Sequence, residues 1–67
     1  MDNVTFYTRI NHINREIRDT QNQLDQARQG YDCPQDKIAR DEYIARMERL
    51  LDYLYETQND MWVDAYA

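Results

Sequence analysis

The chain's only glycine and only proline, Gly30 and Pro34, stand four residues apart near its middle, in the stretch RQGYDCPQDK. Nothing else in the 67 residues forces a helix to stop, so the sequence predicts two long helices joined at this one point. Gly30 suits the left-handed residue that closes a helix, with Arg28 in the preceding turn to complement the dipole. Pro34 suits the first turn of the next helix and presses Cys33 toward an extended conformation. Cys33 or Asp32 is then the expected N-cap, with Asp36 in the first turn. The predicted organisation is a single domain: a helix over about 4–29, a loop over about 30–33, a helix over about 34–62 and a short C-terminal segment.

Apolar spacing supports both helices. Phe6, Ile10, Ile13, Ile17, Thr20, Leu24, Ala27 and Tyr31 alternate in steps of four and three. Ile44, Met47, Leu51, Leu54, Gln58, Met61 and Ala65 do the same. This is the period of a coiled-coil seam. A short loop makes the two helices antiparallel, giving an all-α helical hairpin. Counting outward from the loop sets Ile10 against about Leu54 and Val4 against about Asp60. On that count Met61, Trp62, Val63 and Tyr66 overhang the first helix, or a short helix capped by Asn59 or Asp60 folds back.

Chains this short have marginal cores and usually need a staple. Cys33 is the sole cysteine, so neither an intrachain disulfide nor a cysteine–histidine zinc site is available. Self-association is the remaining device. Tyr43, Leu50, Tyr55 and Trp62 widen the apolar sector of the second helix beyond what one neighbour covers. The expectation is therefore a homodimer forming a four-helix bundle, its interface built from Ile44, Met47, Leu51, Leu54, Tyr55, Met61 and Trp62. Thr20 occupies a core position, where a polar residue loosens packing or sets register.

Charge is unevenly placed along the chain. Residues 1–49 hold eight Lys/Arg and nine Asp/Glu, whereas residues 50–67 hold four acids and no base. Asp52, Glu56, Asp60 and Asp64 stand four apart, with Tyr53, Tyr55, Trp62 and Tyr66 among them. Like charges at that spacing cost a helix only ~0.2–0.5 kcal/mol per pair, so solvation alone accounts for them. Their coincidence with aromatic residues points instead to a protein partner with a basic surface, met by Asp52, Tyr53, Glu56, Asp60, Trp62 and Asp64. Direct nucleic-acid binding is disfavoured because it needs a basic patch. No apolar run approaches a membrane span and no signal-peptide core follows Met1, which together with one free thiol leads us to expect a cytoplasmic protein.

No catalytic chemistry is expected. His12 reads as a surface residue without a fixed carboxylate or nucleophile. Cys33 lies between Asp32 and Asp36, the wrong sign of charge to stabilise a thiolate. One glycine cannot make a phosphate loop, and the carboxylates Glu48, Asp52 and Glu56 lack the histidine ligands of bundle metal sites. The sequence thus implies neither a metal nor a cofactor.

Two resemblances bear on function. ERLLD, Glu48–Asp52, is similar to the Ser-Gln-x-Leu-Asp motif of helical-hairpin phosphatases acting on sporulation response regulators. It keeps Leu51 and Asp52, but Glu48 and Arg49 replace the Ser and Gln, so the phosphatase role is not carried over. In size, acidity and hairpin form the chain resembles small phage-encoded inhibitors, including some anti-CRISPR and nuclease-blocking proteins. The expected function is accordingly a small acidic module that inhibits or regulates a macromolecular partner by offering carboxylates to a basic nucleic-acid groove. The alternative is an adaptor hairpin within a larger assembly.

Overall fold

The computed structural model describes residues 3–66, with the side chain of Asn3 left aside. Two helices, α1 (Asn3–Arg28) and α2 (Lys37–Tyr66), pack as a hairpin measuring 47 × 16 × 12 Å over its Cα atoms. Among the described residues there is no strand, and no helix is long and apolar enough to cross a membrane.

The predicted seam is the core. Phe6, Ile10, Ile17, Leu24 and Ala27 of α1 are buried together with Met47 and Leu54 of α2. Ile13, Ile44, Leu51, Gln58 and Met61 are half-buried along its margins. Thr20 keeps its core position at 6 % exposure, the one buried polar residue among those described. Tyr31, expected to continue the seam, is instead 65 % exposed, because α1 has already ended before it.

That ending is a Schellman motif. The Tyr31 amide donates to the Gln26 carbonyl at 2.8 Å and the Gly30 amide to the Ala27 carbonyl at 3.1 Å. Gly30 holds φ +89°, where a side chain strains the backbone even though no atom lies within 4 Å of an added Cβ. Gly30→Ala should therefore lower stability by about 1–2 kcal/mol through the backbone alone. Thermal unfolding followed by circular dichroism reads this, and an unchanged midpoint would contradict the left-handed turn.

The loop ends later than the sequence suggested. Asp36, not Cys33 or Asp32, caps α2: its Oδ2 accepts the Ala39 amide at 3.0 Å and its carbonyl accepts the Arg40 amide at 2.8 Å. Asp32 sits at φ 49°, a left-handed turn residue instead of a cap. Pro34 belongs to the loop, and the Cys33 thiol lies 3.7 Å from the Ala27 carbonyl.

The pairing of the two helices also differs from the outward count. Phe6 lies against the last turns of α2, with its ring 5.0 Å from that of Trp62. Gln58 donates to Asn14, Gln21 donates to Tyr55, and Arg28 pairs with Glu48 at 3.2 Å. The expected overhang is thus corrected: Met61 and Trp62 pack beside α1, and α2 closes at Tyr66, about one turn past Trp62, as α1 begins about one turn before Phe6. No separate helix starts at Asn59 or Asp60, since α2 runs through both without a break.

Candidate functional site

An α-helix turns once in about 3.6 residues, so a step of four overshoots by about 40°, and three such steps carry a row about a third of the way around. The four acids follow this drift. Asp52 lines a cleft with Asn22, Asp25, Arg28, Glu48 and Leu51. Asp64 lines a different one with Phe6, Arg9 and Met61. The carboxylates therefore spiral around α2, and Asp64, expected to drift from the outer positions of Asp52, Glu56 and Asp60 toward the seam, lines a cleft with the core residue Phe6.

The aromatic residues divide as well. Trp62 meets Phe6 edge-on and stacks on Tyr66 at 5.9 Å, while Phe6 also meets Tyr7 edge-on at 5.6 Å. Tyr7, Phe6, Trp62 and Tyr66 thus form one chain of rings at the open end of the hairpin. Tyr55, seven residues before Trp62, shares its flank and accepts from Gln21. Tyr53 is directed elsewhere. It is 63 % exposed, and Glu56 and Asp60 follow it at helical spacings of three and seven, also exposed.

Each predicted site residue can now be placed. Tyr53, Glu56 and Asp60 share the outer stripe of α2, and Asp64 lies at its edge. Asp52 turns toward the cleft beside Arg28, and Trp62 belongs to the aromatic chain at the open end, away from the Tyr53 stripe. Of the residues expected at a dimer interface, Met47 and Leu54 are taken up by the hairpin's own core and have almost no surface left for a second copy. Ile44, Leu51 and Met61 are half-buried, and Tyr55 and Trp62 are more open. The reason is that one seam cannot serve two partners.

Antiparallel pairing also dilutes the acidity. It brings Arg9, Arg15 and Arg18 of α1 into the same half of the hairpin as Glu56, Asp60 and Asp64. Even so, ion pairs among the described residues are His12 with Glu16 at 2.7 Å and Arg28 with Glu48, and neither engages the four terminal acids. Glu16 is the partner of His12 that the sequence reading lacked, one helical turn away.

The sequence reading also missed a row. Residues 7, 14, 21 and 28 lie seven apart on α1, and Asn14, Gln21 and Arg28 each bond a side chain of α2. Their heptad spacing beside the apolar seam was the available signal.

Geometry defines the class of molecule as a two-helix hairpin carrying one aromatic flank and one tyrosine-bearing acidic stripe. Neither protein-family models, curated proteins nor solved structures give a match to this chain.

Proposed function

We propose that the hairpin is a non-catalytic protein-binding module that regulates or inhibits a macromolecular partner through the outer stripe of α2. The observation that carries this reading is Tyr53, 63 % exposed on a rigid helix beside Glu56 and Asp60, whose carboxylates form no ion pair among the described residues. Tyrosine supplies a large apolar face with a polar tip at little entropic cost, and unpaired acids attract a basic surface. A groove shaped for nucleic acid is the concrete partner, because it offers rows of Lys and Arg. Acting in the cytoplasm would keep Cys33 a free thiol.

The test is capture of host proteins by the immobilised chain and by its E56K/D60K/D64K variant. The wild type should retain a basic, nucleic-acid-handling protein that high salt releases and that the variant fails to hold. The same proteins held equally by both would end this reading. A second reading, an adaptor whose only role is assembly as a dimeric four-helix bundle, draws on the aromatic flank and predicts that the charge reversal is tolerated.

A further inference from the structure

The outer stripe of α2 borders a groove between the two helices. The groove holds about 320 Å³ and is lined by Thr8, Arg9, His12 and Ile13 of α1 with Thr57 and Met61 of α2. Thr57 stands one turn after Tyr53, and its hydroxyl donates to the Tyr53 carbonyl at 2.9 Å. The Thr8 hydroxyl donates in the same way to the Val4 carbonyl. With both hydroxyl protons used inside their own helices, and with Ile13 and Met61 half-buried, the floor is apolar.

The two walls carry opposite charge. Arg9, His12 and Arg15 follow one another at steps of three along α1, and the last two line an adjoining hollow with Thr8 and Asn11. A step of three falls short of a turn by about 60°, so Arg18 has left this wall. Asp60 and Asp64 follow Thr57 and Met61 at the same step on α2, and Asp64 shares a cleft with Arg9. Among the described residues none of these arginines and aspartates forms an ion pair, while His12 holds Glu16 at 2.7 Å.

An apolar floor between an unpaired basic wall and an unpaired acidic one restricts what can lie there. A nucleic acid, anionic along its length, is repelled by Asp60 and Asp64, and a uniformly basic surface by Arg9 and Arg15. We propose that the occupant is an amphipathic helix of the partner protein, its apolar ridge set between an acidic and a basic margin. The ridge meets Ile13 and Met61, the acids meet Arg9 and Arg15, and the bases meet Asp60 and Asp64. This rests on the outer-stripe reading and deepens it, adding the arginines of α1 to the contact and acids to the partner.

The probe is a short stapled peptide helix with leucine along one face, glutamate on one margin and lysine on the other. Titrated into the full chain, it should shift the Ile13 and Met61 methyl resonances to saturation. Arg9→Glu with Arg15→Glu, and separately Asp60→Lys with Asp64→Lys, should each weaken binding roughly tenfold. All four side chains are exposed, so the fold is kept. Reversing both walls together should restore binding, because a helix turned end for end exchanges its margins. Unmoved methyls, or a double reversal that stays weak, overturn the proposal. Binding that the arginine reversal leaves intact but the aspartate reversal weakens overturns the two-walled groove and spares the acidic stripe. Binding that the aspartate reversal leaves intact counts against both. Methyl shifts that grow with chain concentration alone make a second copy the occupant and overturn the partner helix.

Discussion

Leu54→Ala should remove about half of the chain's stability. Leu54 is 3 % exposed, the most buried residue of α2, and among the described residues it belongs to a core of only seven apolar side chains. Truncating a buried leucine costs about 2–5 kcal/mol, the lost transfer energy plus a cavity that neighbours only partly fill. A chain of 67 residues holds roughly 3–10 kcal/mol in total. About half of that total is consumed by one substitution. Far-UV circular dichroism in a urea titration measures it: the unfolding midpoint should fall to about half the wild-type urea concentration. A midpoint within experimental scatter of wild type would mean that Leu54 does not face α1.

Trp62→Ala should be the next most damaging change, for a reason the pairing supplies. Had the end of α2 overhung α1, removing this indole would barely affect the isolated hairpin. Instead the ring lies edge-on to Phe6 and stacks on Tyr66, and only 38 % of the residue is exposed. Full burial of a tryptophan is worth about 3–5 kcal/mol against alanine, so partial burial leads to about 2–3 kcal/mol. For a domain of this size that lowers the thermal midpoint by roughly 10 °C or more. Thermal scans at two protein concentrations separate the contribution inside one hairpin from any made between copies. A midpoint unchanged at the lower concentration would remove Trp62 from the hairpin's packing.

The seam was legible from the sequence because burial of an amphipathic helix leaves a periodic record, and Phe6 through Ala27 keep it without a gap. The close of α1 was legible too, since Gly30 is the only residue free to turn left-handed without penalty. The opening of α2 was not. Asp32 and Asp36 are chemically equal caps, and Pro34 between them fits either a first turn or a loop. The pairing was not legible either: counting outward from the loop sets Phe6 near Gln58, whereas it meets Trp62, and that count produced an overhang that α2 does not have. Surface grouping was lost for a different reason. Asp52 and Asp64 look like one ladder in a line of text, but the mismatch between four and 3.6 residues carries them to different clefts.

The pairing of Phe6 with Trp62 places the aromatic chain, frees Tyr53 for the outer stripe and removes the overhang. Its most direct test is a nuclear Overhauser measurement between the two rings, isotope-filtered to select contacts within one chain. Cross-peaks from the Trp62 indole to the Phe6 ring are expected, since the centroids lie 5.0 Å apart. Contacts of Val4 with Asp60 in their place, with Trp62 silent toward α1, would contradict the account.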